Sequence, residues 1–148
     1  MEETYNLERF LAAQNYKGTY EQALQEIKNG SKETHWIWFI FPQCYGLGYS
    51  EHSRRYGIKG KGEAKAYIEN ELLRERLLEV CEALYSLQTD DIMSVMWEID
   101  CYKVRSCVTL FNHVAPQFEI FQKLLDKYFR SSPCQRTLDI LEQYSPND

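Results

Sequence analysis

The stretch His35-Trp-Ile-Trp-Phe-Ile-Phe-Pro-Gln43, followed directly by Cys-Tyr-Gly-Leu-Gly-Tyr-Ser50, decides how this chain is interpreted. Six large apolar or aromatic residues stand in a row from Trp36 to Phe41, and Pro42 ends this aromatic run. Five of the seven glycines follow in the next twenty positions (Gly46, Gly48, Gly57, Gly60 and Gly62). Glycine is favoured where a backbone takes a positive φ or approaches another group closely. An aromatic run beside such a loop predicts a binding pocket.

Hydrophobic spacing over the rest of the chain predicts helices. Apolar residues recur at i, i+3 and i+4 from Leu7 onward, with Asn6 as the N-cap and Gly18 as the end of the first helix. Thr19 begins a capping box for the second helix, because a glutamine stands three residues later. Gly30 ends that helix. The aromatic run itself is too short for periodicity to decide between a buried helical turn and an extended piece.

The second half of the chain continues the helical pattern. One long amphipathic segment runs over 63–87 with a break at Asn70, and Asp90 and Asp91 open the next helix. Asp100 is predicted to cap another helix, and two more follow over 118–129 and after Pro133. The alternation of a half-buried strand is absent from the sequence. We therefore expect an all-α fold, with residues 1–148 forming a single compact multi-helix domain with a glycine-rich loop.

Composition limits the classes of function. The five cysteines are odd in number and include no C-x-x-C pair, and Glu2 and Glu3 are acidic where a signal peptide is basic. These features predict a reduced cytoplasmic protein. The apolar runs are far shorter than the ~20 residues that span a bilayer, so no membrane partner is expected. The net charge of -5 argues against nucleic acid as the partner of the whole surface. Metal-ligand spacings and cofactor motifs are absent too, so neither a metal nor a cofactor is expected.

The residues around the aromatic run have two interpretations. Trp36 and Trp38 are most simply core residues, because large aromatic side chains dominate the energetics of protein interiors. His35 and Gln43 flank the run and are disfavoured in a core unless they are hydrogen bonded. Each of these two polar residues either makes a structural hydrogen bond or lines the predicted pocket, and the sequence leaves both possibilities open.

The glycine-rich loop carries an excess of positive charge. Arginines and lysines outnumber acidic residues by three between Gly46 and Lys65 (Arg54, Arg55, Lys59, Lys61 and Lys65 against Glu51 and Glu63). Together with the hydroxyls of Ser50, Ser53 and Tyr56, this loop is a candidate anion site. Its spacing matches neither a P-loop nor G-x-G-x-x-G. The alternative is a solvated loop.

A polar line follows one helix, because Asp100, Lys103, Ser106 and Thr109 recur at intervals of three residues. In the simplest interpretation, Asp100 is an N-cap and Lys103 forms a surface ion pair worth under ~1 kcal/mol. If the line faces the pocket, Lys103 contacts a phosphate or carboxylate and Asp100 orients it. The chain shows neither a Ser-His-Asp order nor a signature of a catalytic cysteine.

The chain also resembles a known family. It contains H-W-I-W-F-I-F-P-Q at 35–43, G-L-G-x-S-x-x-S-x-x-Y-G-I at 46–58, E-A-K-A-Y at 63–67, D-x-x-K-V-R-S-C-V-T-L-F at 100–111 and Q-R-T-L-D-I-L at 135–141. These motifs are similar to those of a bacterial family named domain of unknown function 1810, whose members are often labelled calpastatin. Calpastatin is a disordered inhibitor, whereas this chain is aromatic-rich and amphipathic throughout. The tripeptide Ser50-Glu51-His52 is also similar to one in the NADAR superfamily of small helical proteins that act on ADP-ribose, although the residues after it differ.

The resemblance and the physical pattern select the same region. We predict His35 and Glu51 as acid/base candidates for an N-glycoside or ADP-ribosyl hydrolase. The expected ligand is a small phosphorylated nucleoside or an ADP-ribosyl group. The alternative is a protein-interaction or inhibitor domain without catalysis. The predicted ligand-binding residues are Trp36, Trp38, Gln43, Gly46, Gly48, Ser50, Ser53, Tyr56, Asp100, Lys103, Ser106 and Thr109.

Overall fold

A computed structural model describes residues 5–143, and within them the fold is all-α, as the periodicity predicts. The helices are α1 (Glu8–Asn15), α2 (Thr19–Lys28), α3 (Ile37–Ile40), α4 (Glu51–Arg55), α5 (Gly60–Glu69), α6 (Glu71–Tyr85), α7 (Glu98–Val114), α8 (Ile120–Tyr128) and α9 (Gln135–Gln143). Two short 3-10 turns, Tyr16–Gly18 and Ile92–Ser94, lie between them. In this part of the chain no helix combines the length and the apolar character needed to cross a membrane.

Helix α7 lies at the centre of the fold and contacts α3, α5, α8 and α9. Its buried apolar side chains repeat at helical spacing, so that Val104, Cys107, Val108 and Phe111 are all fully enclosed. Phe111 packs against Tyr67 of α5 and Phe121 of α8, with ring centroids 5.3 and 6.0 Å apart. Aromatic contacts of this kind join three helices into one core.

The aromatic run resolves into a single helical turn. Residues Ile37–Ile40 form α3, and the peptide N–H of Phe41 donates to the carbonyl of Ile37 over 3.0 Å. Ile37 and Ile40 lie inside the core, whereas Trp38 is only partly buried. Trp38 thus packs against the core with only part of its surface, because one turn of helix points successive side chains in different directions.

Two predicted helix starts in the first part of the chain differ from the structure. Leu7, and not Asn6, precedes α1, and it provides no side-chain cap. Thr19 is the first residue of α2, and the N-cap position before it is occupied by Gly18, which takes a left-handed conformation with φ of 70°. The Thr19 hydroxyl donates to the carbonyl of Tyr16 over 2.5 Å instead of capping α2, so the capping-box prediction is wrong. The predicted break at Asn70 is confirmed, since its side chain accepts from the N–H of Leu73 over 3.0 Å and caps α6.

Asp100 does not cap a helix, in contrast to the prediction. Helix α7 begins two residues earlier, at Glu98, after Trp97 in an extended conformation. Asp100 thus occupies the first turn, where a carboxylate is also favourable because of the helix dipole. Its side chain is buried and forms an ion pair with Lys32.

Candidate functional site

A cavity of about 740 Å³ opens where α3 and the glycine-rich loop meet α7 and the start of α9. Four separate parts of the chain contribute to it. The lining side chains are Lys32, His35, Ile37, Trp38, Gln43, Leu47, Tyr49, Ser50, Ser53, Trp97, Ile99, Asp100, Tyr102, Lys103, Ser106, Cys134 and Arg136, and the backbone of Gly48 completes it.

Aromatic rings line this cavity in two places. Trp38 meets the ring of His52 edge-on at a centroid distance of 4.4 Å. His35 stacks on Trp97 at 5.5 Å with an interplanar angle of 27°. Trp97 is 47% exposed. An exposed aromatic face of this size can take up a planar ligand group by stacking.

A buried ion pair lies in the cavity. The Nζ atom of Lys32 is 3.1 Å from Oδ2 of Asp100, and the side chains of these two residues are only 1% and 6% exposed. Lys32 Nζ also donates to the carbonyl of Thr34 over 2.6 Å. The rings of Trp36 and Trp97 lie 4.8 and 4.5 Å from the same nitrogen, at cation-π distance. The lysine charge is thus compensated on several sides, which is the usual condition for burying it.

Behind this pair, Glu26 anchors the segment that carries His35. Its carboxylate accepts from the indole N–H of Trp36 over 2.8 Å and from the backbone N–H groups of Glu33 and Thr34 over 2.8 and 3.1 Å. Burial alone would raise the pKa of Glu26, but hydrogen bonds from Gln22, Glu33, Thr34 and Trp36 lower this pKa to about 2. The charged carboxylate therefore holds residues 33–36 against α2.

The loop side of the cavity depends on a close approach at Gly48. Ser50 precedes α4 and caps it, since its hydroxyl accepts from the N–H of Ser53 over 3.1 Å. The two serine hydroxyls are 3.0 Å apart. A Cβ atom at Gly48 would lie 2.5 Å from Oγ of Ser53, so only glycine leaves room for this pair of hydroxyls.

Two cations in the cavity have no acidic partner among the residues that the structure describes. The ion pairs within residues 5–143 join Arg9 to Glu63 and Lys32 to Asp100, which leaves Lys103 and Arg136 without a carboxylate in that part of the chain. Arg136 makes a long contact of 3.5 Å with the carbonyl of Gly46. In a protein of net charge -5, these two side chains make the cavity a place where an anion is attracted.

Nine of the predicted site residues meet at this cavity. They are His35, Trp38, Gln43, Gly48, Ser50, Ser53, Asp100, Lys103 and Ser106. The pairing of Asp100 with Lys103 is not observed among the described residues, because the carboxylate of Asp100 faces Lys32.

The other five predicted residues lie outside it. Trp36 is fully enclosed and bonded to Glu26, and Tyr56 packs between Phe10 and Phe39. Glu51 is exposed on α4. The remaining two contact residues at the start of α9: the carbonyl of Gly46 accepts from Arg136 over 3.5 Å, and the Thr109 hydroxyl accepts from the N–H of Cys134 over 2.9 Å.

The basic residues of the glycine-rich loop lie elsewhere. Ser53 of helix α4 and Ser50 directly before it line the cavity. Arg54 and Arg55 of the same helix do not line it. Those arginines and Lys59 line a separate groove beside the ion pair of Arg9 with Glu63, whose Nη1 and Oε2 atoms are 2.8 Å apart. The anion site predicted for this loop thus lacks its expected cations, and Lys103 and Arg136 take their place in the cavity.

Several lining residues carry no signal in the sequence. Lys32 belongs to a short polar segment after α2, and a buried lysine cannot be distinguished there from a surface one. Cys134 and Arg136 come from the start of α9, about ninety residues from the loop that they contact, and one sequence offers no sign of that contact. Trp97 and Tyr102 could have been predicted as site residues, because these large aromatic residues lie close in sequence to Asp100 and the polar line on α7. Over the described residues, no cluster of His, Cys, Asp and Glu side chains could hold a metal ion.

Comparison with known proteins gives the relationship of this chain. A crystal structure of the conserved hypothetical protein Rv1873 from Mycobacterium tuberculosis is similar to it, with a TM-score of 0.90 and 35% sequence identity. The match covers 95% of this chain and 99% of that protein. The curated proteins contain no match. Over residues 4–141 the sequence matches the model of the family described as protein of unknown function DUF1810, and the chain therefore belongs to that family.

Proposed function

We propose that the cavity binds a small phosphorylated nucleoside or an ADP-ribosyl group. One observation carries this proposal: Lys103 and Arg136, both without a carboxylate partner in residues 5–143, line the same cavity as the aromatic side chains of Trp38 and Trp97. A ligand that fits this pattern has a planar or apolar part and at least one anionic group.

Different lining side chains would contact different parts of such a ligand. The rings stack a base or pack on a ribose, and the two cations take up phosphate oxygens. Ser50 and Ser53 offer hydroxyls near the loop, and the Gln43 side chain offers both a donor and an acceptor. The volume of about 740 Å³ lies within the range of small-molecule sites, roughly 300 to 1,000 Å³.

Binding is the part of the proposal that the geometry supports best. Hydrolysis of a glycosidic bond needs an acid or base within reach of the ligand. Of the two candidates from the sequence, His35 lines the cavity and Glu51 does not. We therefore assign any acid/base role to His35, and we expect His35→Ala to lose hydrolysis while it retains ligand binding.

A second function is favoured by the rim of the cavity. Four of the exposed large apolar side chains surround it, namely Tyr49, Trp97, Ile99 and Tyr102. Exposed apolar surface that is contiguous in this way is typical of protein-protein contacts. A protein-interaction role without catalysis is thus the alternative to ligand binding.

Thermal unfolding with a panel of ligands tests the proposal. A ligand that binds only the native state stabilises it by RT ln(1 + [L]/Kd), about 2.7 kcal/mol at a hundredfold excess over Kd, which corresponds to several degrees in Tm. ADP-ribose, NAD, simple nucleotides and inorganic phosphate form the panel. We expect a shift with a phosphorylated nucleoside that disappears in Lys103→Ala.

The matched control is Lys65→Ala. Lys65 is an exposed lysine within α5, away from the cavity, and its replacement removes the same charge. This variant should keep the full shift. If melting curves stay flat for the whole panel at millimolar concentration, ligand binding is rejected and the interaction role is favoured. Equal losses in Lys103→Ala and Lys65→Ala would show that only net charge matters, and would remove Lys103 from the site.

A further inference from the structure

One cysteine differs from the other four. Cys44, Cys81, Cys101 and Cys107 are buried, and burial raises the pKa of each of their thiols. Cys134 is partly exposed and lines the cavity. The sequence does not distinguish it, because none of the five cysteines belongs to a recognisable motif.

The surroundings of Cys134 favour its thiolate. This residue directly precedes α9, and its carbonyl accepts from the N–H of Leu138 over 3.3 Å, as a residue at a helix start does. The hydroxyl of Ser106 lies 3.4 Å from Sγ, and its single proton is shared between this sulfur and the carbonyl of Tyr102 at 3.0 Å. Burial alone would raise the pKa of Cys134, but hydrogen bonds from Ser106 and from the backbone N–H groups of Arg136 and Thr137 lower it. Thiolates are the reactive form of cysteine, and helix starts stabilise them.

An independent feature of the cavity points to a ligand beside this thiol. Gln43 is only 9% exposed and lines the cavity, and its side-chain amide takes part in no hydrogen bond within the described residues. Its polar atoms remain open only to the cavity that it lines. An amide that offers both a donor and an acceptor to the cavity matches the hydrogen-bonding groups of a peptide.

The charges in the cavity define the kind of molecule that would meet the sulfur. Of the lysines and arginines that line it, Lys103 on α7 and Arg136 on α9 have no carboxylate partner in residues 5–143. The Cys44 thiol adjoins Cys134 from the loop, and Asp100 is compensated by Lys32. The field at the thiol therefore favours an electrophile that carries carboxylates.

We propose that Cys134 is a reactive thiol that forms a mixed disulfide with small anionic peptide disulfides, such as oxidised glutathione. The thiolate of Cys134 attacks one sulfur of the disulfide, and a new S–S bond forms while the original S–S bond breaks. The displaced thiolate takes a proton from water. The disulfide is the oxidant, so no other reactant is required. The peptide part lies against Gln43, and its carboxylates contact Lys103 and Arg136.

Intact mass and peptide mapping of the full chain after treatment with oxidised glutathione test this assignment. We expect one glutathionyl group on Cys134 and none on the four buried cysteines, whereas all five cysteines should react in denaturant. Cys134→Ser should abolish the adduct in the folded protein. A folded protein that stays unmodified, or that reacts first at another cysteine, would overturn the proposal.

A disulfide without charge distinguishes recognition of the peptide disulfide from simple accessibility of the Cys134 thiol. Dithiodiethanol has no carboxylates, so Arg136→Gln should slow the reaction with oxidised glutathione by about tenfold and leave the reaction with dithiodiethanol unchanged. Gln43→Leu should likewise slow only the peptide disulfide. If both reagents slow equally, the thiol is merely accessible and the recognition is rejected. Arg136 is exposed, so its replacement leaves the fold intact, and a circular dichroism melt verifies this.

The pH dependence gives a third test that does not depend on the ligand. The rate of reaction with dithiodiethanol should rise with pH through a midpoint below the ~8.5 of a free cysteine. In Ser106→Ala this midpoint should move upward, because a donor to the thiolate is lost. A midpoint at or above that of a free cysteine would refute the activated thiol.

Discussion

Trp36 and Trp38 stand two residues apart and have different roles. Trp36 is 0% exposed, and its indole N–H is bonded to Glu26 in an enclosed network where donors and acceptors meet. Trp38 lies on the other side of α3, with one edge on His52 and the rest facing the cavity. On the enclosed side polar groups are satisfied within the protein. On the open side Lys103 and Arg136 have no carboxylate partner among the described residues, which leaves their charges available to another molecule.

The largest effect should come from Trp36→Ala. The loss of a fully buried indole costs ~3–5 kcal/mol in the free energy of unfolding, and the Glu26 carboxylate also loses a donor. Chemical denaturation measures this change. Trp36→Phe is the control, since it retains most of the packing and removes the N–H, so it should cost less. Equal stability of Trp36→Ala and the native protein would show that the enclosed network is absent.

A smaller effect on the free energy of unfolding should come from protonation of Glu26 at low pH. Because the pKa of Glu26 in the folded protein is about 2, below the ~4.3 of an unfolded glutamate, its contribution is complete above that unfolded value. This contribution, about 3 kcal/mol, is lost as the pH falls from about 4 through 2. We expect Glu26→Gln to be less stable at neutral pH and to show a weaker loss of stability over this acid range. Unfolding curves at several pH values measure the difference, and parallel pH profiles for the two proteins would contradict the prediction.

The smallest effect on stability should come from Trp38→Ala. Its ring is only partly buried, so we expect a loss of about 1 kcal/mol. The same variant should lose the ligand-induced rise in Tm, because a stacking surface is removed. Thermal melts with and without ligand measure both quantities. A loss as large as that of Trp36→Ala would mean that the two sides of α3 do not differ.

Sequence reasoning succeeded where the signal is local. The helical periodicity of α5, α6 and α8 predicts the fold class, and the break at Asn70 follows from a single residue type that caps helices well. It failed at helix starts that depend on tertiary structure. An aspartate is favoured both at an N-cap and in the first turn of a helix, so the sequence alone does not distinguish these two positions for Asp100. In the structure its carboxylate pairs with Lys32, which is 68 residues away in the chain.

The candidate site was partly predictable for the same reason. The residues from His35 to Ser53 are close in sequence, and a short loop keeps them close in space. The polar line on α7 is regular, so its side chains on one face follow from helical geometry. Arg136 and Cys134 reach the cavity only because α9 packs back onto α7 and the loop, an arrangement that depends on the whole fold.

Helix α7 contributes side chains both to the core and to the cavity, and it is one continuous helix. Asp100, Lys103 and Ser106 face the cavity, while Cys107 and Phe111 lie in the core. A single inserted residue would rotate everything beyond it by about 100° and move it along the axis by about 1.5 Å. Such an insertion could not displace Ser106 from the cavity without also displacing Phe111 from the core. The shape of the cavity can therefore change through the loop at 43–50 or the start of α9, where a change in length leaves the helical core in register.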